Sequence, residues 1–273
     1  MTLPDTLLLD IGGTFIKCSD GRSVPIDSAG GRDSIAESLR EAVFGGQTDG
    51  PSRLGLALPG PFDYRKGIFL MRHKFASVYG CDIRSLLNLP EDTEIHCLHD
   101  VVAVLLGVMP DHTGNVALVT IGTGLGFACS ADGKVLLDKL GSPALSLYDK
   151  PCREGILEDL VSKRGITNAY ERLTGIAGVS PLGVSLKAHS GEPEACAVYE
   201  EIGSILGSEL APILSELGIG ALLFGGQISK SFDLFEARLR EGLAGVSGLH
   251  TVARAPEGAV FKGLEESFRN NVF

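Results

Sequence analysis

The chain opens on an apolar run broken by a glycine turn. Leu7-Leu8-Leu9 leads through Asp10-Ile11 to Gly12-Gly13-Thr14, and Phe15-Ile16-Lys17-Cys18 resumes the apolar pattern. This predicts a β-hairpin over residues 6–19. Further strands are expected at 23–26, 53–58 and 94–98, and helices at 33–44, 83–89 and 101–108, in βββαβα order. A second unit is expected from Asn115, after the turn-rich Pro110-Asp111-His112-Thr113-Gly114, with strands at 116–121, 126–130 and 134–137. Residues 7–17 and 118–129 share the order strand, glycine-threonine turn, strand, which reads as an internal repeat. Residues 155–217 turn helical: Ala195, Val198, Tyr199, Ile202, Ile205, Leu206, Leu210, Ile213, Leu214 and Leu217 recur at spacings of three and four. Pro212 within that stripe is expected to kink or break it. A strand at 221–224, the pair Gly225-Gly226, a helix at 232–242 and a last helix at 259–268 complete the pattern.

Length then divides this series. At 273 residues two domains are expected, 1–112 and 113–273, with the last helix packing back on the first. Hydrophobic residues at 44% against 21% charged describe a folding chain. No apolar run approaches the roughly 18–20 residues of a membrane span, so no membrane partner is expected. Met1-Thr2-Leu3-Pro4-Asp5 lacks the basic and apolar regions of an export signal, which makes the cytoplasm the expected location. Six cysteines lie far apart without a C-x-x-C pair, as reduced thiols do. The formal charge of −10 repels nucleic acid. It offers no attraction to a polyphosphate either, so a phosphate site must be built locally, from backbone amides and a hard cation.

Three glycine motifs supply such sites. Asp10-Ile11-Gly12-Gly13-Thr14 resembles a dinucleotide fingerprint, but that turn must enter a helix, whereas Phe15-Ile16-Lys17-Cys18 continues as strand. At a hairpin tip the glycines let backbone N–H groups approach phosphate oxygens, Thr14 adds a hydroxyl, Lys17 a charge, and Asp10 can hold a water of Mg²⁺. The alternative is a plain tight turn. Ile121-Gly122-Thr123-Gly124-Leu125-Gly126 repeats the device, and the two together suggest a phosphate clamp. Leu222-Leu223-Phe224-Gly225-Gly226-Gln227-Ile228-Ser229 puts two glycines between a strand and a helix capped by Ser229 or Ser231, a backbone over which adenosine can lie.

These segments, together with Gly55-Leu56-Ala57-Leu58-Pro59-Gly60-Pro61-Phe62-Asp63 and Val260-Phe261-Lys262-Gly263-Leu264, resemble in order and spacing the ROK family of sugar kinases and regulators. The resemblance spans nearly the whole chain. It implies an α/β, two-lobed actin-like, ribonuclease H-like ATPase fold (ASKHA) with an active-site cleft between the lobes. It also implies a glucokinase-like enzyme that transfers phosphate from ATP, with Mg²⁺, to a sugar hydroxyl, and a homodimer. Pro59 and Gly60 match the family's loop beside the sugar, and Leu98-His99-Asp100 stands where the family has its E-N-D segment, which makes Asp100 the general base. As the N-cap of the following helix Asp100 would instead be structural.

The departures are as informative. The G-E-x-G-H sugar motif is replaced by Leu140-Gly141-Ser142-Pro143-Ala144-Leu145, and the zinc signature is reduced to Cys152-Arg153-Glu154-Gly155-Ile156-Leu157-Glu158, so no zinc is expected. Glu158 survives, as a sugar ligand or as a helix-start residue facing the dipole. The family's Asn gives way to Arg72-His73-Lys74-Phe75. Lys74 or His73 in the pocket would suit an acidic or otherwise modified sugar, while the alternative is a solvated loop. His99 either donates to a sugar oxygen or is a satisfied helix-start histidine. A rival to the kinase is a degenerate sugar- or nucleotide-binding sensor.

Overall fold

A computed structural model of the chain describes residues 5–47 and 50–270. They group into two units, one of the residues up to Pro110 with 137–144 and those from Glu257 on, the other of 111–136 and 145–256.

In the first unit β1 (Thr6–Ile11) and β2 (Phe15–Cys18) form the expected antiparallel hairpin, with Asp10 directly opposite Lys17. β3 (Ser23–Pro25) pairs with β2, and α1 (Arg32–Phe44) follows. β4 (Arg53–Leu58) lies parallel to β1; after the two-residue strands β5 (Phe62–Asp63) and β6 (Ile68–Phe69) and the short helix α2 (Ile83–Leu87), β7 (Glu94–His99) lies parallel to β4 and runs into α3 (Asp100–Val108). The sheet order is β3-β2-β1-β4-β7. Leu7, Leu9 and Ile11 join Ile35 and Leu39 of α1 in the core, while the alternate residue Leu8 faces the opposite side, where the last helix lies. Both faces of β1 and β4 are covered, which is why they read as continuous apolar runs.

The second unit repeats this plan. β8 (Asn115–Ile121), β9 (Leu125–Ala131) and β10 (Lys134–Val135) are antiparallel; the small pair β11 (Pro151–Cys152) and β12 (Gly155–Ile156) precedes α4 (Leu157–Val161), α5 (Lys163–Thr174), α6 (Pro181–His189) and α7 (Pro193–Glu216). β13 (Ile219–Gly225), α8 (Phe232–Leu243) and β14 (Thr251–Arg254) complete a sheet of order β10-β9-β8-β13-β14. Position for position this matches the first sheet, including two antiparallel and two parallel pairings. Finally α9 (Ala259–Asn270) packs against α3 in the first unit.

Several expectations change. β5, β6 and β14 were not legible: two-residue strands show no period, and β14 has one buried residue, Val252. β10 stops two residues short of the expected strand, at Val135. The helical stretch is four helices, of which α7 carries the expected stripe from Ala195, and α7 continues through Pro212, which sits in its last turns.

Two helix pairs pack backbone to backbone. A Cβ at Gly107 of α3 would stand 2.0 Å from the Ala259 carbonyl oxygen, and one at Gly263 of α9 only 1.7 Å from that of Ala103. In the second unit Gly203 and Gly207 of α7 serve α8 in the same way.

Candidate active site

The strand ends of the first unit gather the charged residues singled out above. Cross-strand pairing in the hairpin brings Lys17 Nζ to 3.7 Å from Asp10 Oδ2. The tip is closed by the Gly12 N–H donating to the Phe15 carbonyl oxygen at 2.9 Å, and Thr14 stands exposed beside it. Neither Gly12 nor Gly13 has a positive φ. Their value is nearness: a Cβ on Gly12 would meet the Phe15 oxygen at 3.1 Å, and one on Gly13 the Ser28 Oγ at 3.2 Å.

The end of β7 carries the candidate base. His99 occupies the cap position of α3, and Asp100 is the first helical residue, so the N-cap role expected for Asp100 falls to its neighbour. His99 Nδ1 lies 2.7 Å from Asp100 Oδ1, and the Val101 N–H is 2.7 Å from the same oxygen but 3.3 Å from Nδ1. A lone pair on Nδ1 would face the carboxylate at that distance, so the shorter contacts favour the tautomer with its proton on Nδ1. Oδ1 thus accepts twice, and Oδ2 makes no hydrogen bond among the described residues. Desolvation pushes the Asp100 carboxyl up, but the charge and hydrogen bond of His99, the Val101 N–H and Lys74 outweigh it, and the net shift is downward. About half of the side-chain surface stays open. Asp100 is therefore ionised and accessible at neutral pH.

Asp10 shifts the other way. Desolvation raises its carboxyl, Lys17 opposes this, and the Asp100 charge adds to the rise. A group whose pKa is raised by folding stabilises the fold below its unfolded value and ceases to do so as pH climbs through the folded one. At neutral pH the Asp10 charge therefore costs stability. We expect Asp10→Asn to melt above wild type at pH 7, the gap closing toward pH 4, while phosphate-dependent functions weaken; thermal scans across that range check it.

Mg²⁺ is the cofactor such a site implies. Among the described residues no cluster of three or more His, Cys, Asp or Glu could hold a metal by protein ligands alone. Mg²⁺ keeps most of its waters and uses one or two carboxylates with substrate phosphates, so the test of fit is a single carboxylate near the phosphate turn. Asp10 fits this role, being a carboxylate whose burial Lys17 only partly offsets.

The loops around this centre rest on an aromatic layer that sequence reading missed. Phe62, Tyr64, Phe69 and Phe75 are buried in a chain of ring contacts, and Tyr64 adds the His99 ring at 5.7 Å. Tyr64 donates its hydroxyl to the Leu58 carbonyl oxygen at 3.1 Å, and burial raises its phenol far above the ordinary range. Gly60 presses on the same pair: a Cβ there would lie 3.4 Å from the Tyr64 hydroxyl and from the His99 ring. Pro59 precedes it, partly buried. The spacing of Tyr64 from the P-G-P turn was the only available signal. Of the basic segment, Arg72 and His73 are exposed, with Arg72 stacked 4.2 Å over Tyr79, and only Lys74 turns inward.

In the second unit Gly122, Thr123 and Gly124 form the companion turn, closed by the Gly122 N–H donating to the Gly124 carbonyl oxygen at 2.9 Å, with Thr123 exposed. Glu158, in the first turn of α4, reaches this turn: its Oε2 accepts from the Leu125 N–H at 2.9 Å. A Cβ on Gly124 would meet that oxygen at 2.8 Å, whereas one on Gly122 would meet nothing within 4 Å. Gly225 ends β13, and Gly226 follows at φ 84° with its Cβ position 2.3 Å from the Ile121 carbonyl oxygen, so no other residue fits there. Ser231 is the cap residue of α8 but makes no capping bond, and Ser229 Oγ donates to the Gly226 oxygen at 2.7 Å instead. Cys152 Sγ is buried 3.6 Å from Glu209 Oε1. We expect Gly124→Val to fold, because the flexible Glu158 carboxylate can swing away, but to weaken ATP binding at least tenfold through crowding at the amides; calorimetric titration with an ATP analogue checks it.

Two α/β units with identical strand order, each carrying a glycine-threonine hairpin, define the actin-like fold of the sugar kinases and their ATPase kin. Residues 32–246 match the ROK family profile, and the chain belongs to the ROK family. No curated protein matches it in sequence. Among solved structures it is similar to the ROK glucokinase from Streptomyces griseus in complex with glucose and AMPPNP (18% identity, 96% of this chain and 98% of that one, TM-score 0.75). It is also similar to the ROK hexokinase from Thermus thermophilus (23%, 95% and 96%, 0.69). A third likeness is to a ROK family transcriptional regulator, a homologue of the E. coli MLC protein (19%, 98% and 80%, 0.74). No helix among the described residues is long and apolar enough to cross a membrane.

Proposed function

We propose that the chain phosphorylates a hydroxyl of a sugar or sugar derivative, with ATP as donor and Asp100 as general base. The observation that carries this is the Asp100 carboxylate: depressed in pKa, one oxygen saturated by His99 and Val101, the other free, in the same unit as the Gly12-Gly13 tip. Asp100 Oδ2 takes the acceptor proton as the acceptor oxygen bonds to the γ-phosphorus; the bond from phosphorus to the β,γ-bridging oxygen breaks, and ADP leaves. His99 holds the carboxylate's orientation, and its Nε2 edge, beside Gly60, faces the sugar loop. The Gly12-Gly13 amides receive phosphate oxygens, Asp10 holds a water of Mg²⁺, and Lys17 keeps Asp10 in place. When bound, Mg²⁺ neutralises phosphate charge. The Gly122-Thr123-Gly124 turn and the Gly225-Gly226 corner are the nucleotide-side surfaces of the second unit. A small sugar and ATP are the partners, the cytoplasm the setting and a homodimer the assembly that go with this reading.

One observation favours a sensor instead. Residues 140–145 carry neither Glu nor His where the family has both, and one oxygen of the Glu158 carboxylate already accepts from the Leu125 N–H. ADP release by the purified chain over a panel of hexoses, amino sugars and acidic sugars separates the two: turnover of any of them supports the kinase, and tight binding of one without turnover supports the sensor.

A further inference from the structure

The backbone that follows Lys74 is tied to the first glycine tip through Ser28. The Phe75 N–H donates to the Ser28 carbonyl oxygen at 2.6 Å, and the Ser28 N–H to the Gly13 carbonyl oxygen at 3.2 Å. Phe75 is fully buried at φ 52°, which fixes the backbone next to Lys74 beside the tip. Lys74 Cε and Nζ consequently lie 3.9 Å from the point where a Cβ on Gly13 would stand. The same ammonium is near enough to Asp100 to help depress its carboxyl. It makes no hydrogen bond or ion pair among the described residues, although the side chain is partly buried. Its neighbours Arg72 and His73 point to solvent.

An unpaired cation fixed between a phosphate-binding turn and a general base has one group to meet. Building on the kinase reading above, the geometry points to Lys74 as a catalytic cation that binds the phosphoryl group in transfer, on the line from the Gly12-Gly13 tip to the acceptor oxygen at Asp100. In that transfer the group carries its negative charge on three oxygens while bonded fully to neither the acceptor nor ADP, and a fixed ammonium stabilises it most at that point. The sequence reading of Lys74 as the partner of an acidic sugar fits less well. A carboxylate placed there would stand beside Asp100, Asp10 and the phosphoryl group itself, all of one sign.

The test is Lys74→Met, which keeps the length and removes the charge, in the full chain with Mg²⁺. We expect kcat to fall about 10²–10³-fold with acceptor KM within threefold of wild type, as for loss of a single transition-state donor. Thermal shift with ADP plus aluminium fluoride, a planar anionic mimic, reads the same contact without turnover: the fluoride should tighten ADP binding in wild type and not in the variant. An acceptor KM that rises with kcat preserved would overturn the inference in favour of an acidic acceptor, and normal kinetics in Lys74→Met would make the residue a bystander. If wild type turns over no sugar yet loses the fluoride effect in the variant, the phosphoryl contact stands and the sugar kinase reading falls; if wild type neither turns over nor responds to fluoride, both fall.

Discussion

Asp100→Asn is expected to lower kcat by about 10²–10⁴-fold with little change in melting temperature or ATP affinity. The amide keeps the shape of the side chain and leaves an oxygen for the Val101 N–H, but it cannot take up a proton. Because His99 and not Asp100 occupies the cap position, the stability cost of Asp100→Ala should also be small, below the ~1 kcal/mol typical of a lost cap. His99→Ala removes the donor that orients Asp100, so it should lower activity more than stability. The downward shift of the Asp100 carboxyl fixes the sign of the pH dependence: the ionised base persists into acid, and the acid limb of kcat/KM should lie below the ordinary carboxylate range. Turnover, melting temperature and a pH profile on the Asp100 pair decide the matter. Normal turnover in Asp100→Asn would defeat the mechanism.

Gly263→Leu is expected to destabilise the first unit by at least ~3 kcal/mol, the upper end of overpacking costs. No rotamer change can relieve it, because the collision at 1.7 Å is with the backbone oxygen of Ala103. α9 must lift from α3, uncovering Leu264 and Phe268 where they meet Gly55 and Leu8, and breaking the His96 stack on Phe268 at 4.1 Å. Denaturant titration should show the loss, with a melting temperature about 6–12 °C lower for a chain of this size. Gly122→Ala is the matched control. Its Cβ would meet nothing, so its stability should equal wild type even where nucleotide binding suffers. A Gly263 variant as stable as wild type would mean that α9 is not held as described.

The contrast between those two glycines marks where sequence reading stops. Gly122 stands in a glycine-rich turn and Gly263 within a helix, and nothing in the letters tells that the first admits a side chain and the second does not. The hairpins, the order of the glycine turns and the main strands followed from periodicity and from the absence of a helix after Gly13, because alternation and local turn chemistry are properties of neighbours in sequence. The family resemblance likewise rested on short contiguous motifs. Asp100 could be singled out in this way, and His99 as a helix-start histidine, but not their meeting: that His99 donates to the carboxylate depends on the turn from β7 into α3. β14 is a strand only because β13 pairs with it, and β5 and β6, which pair with each other across residues 64–67, are too short to show a period. Lys74, Arg72 and His73 are adjacent basic residues that sequence cannot tell apart; the buried Phe75 and its hydrogen bond to Ser28 aim one of them at the Gly13 turn. The main strands and helices, the two glycine-threonine turns and the candidate base follow from neighbours in sequence. How the charges meet follows only from the fold: Asp10 faces Lys17 through the hairpin register, His99 meets Asp100 through the turn from β7 into α3, and Lys74 comes near Gly13 and Asp100 from a distant loop.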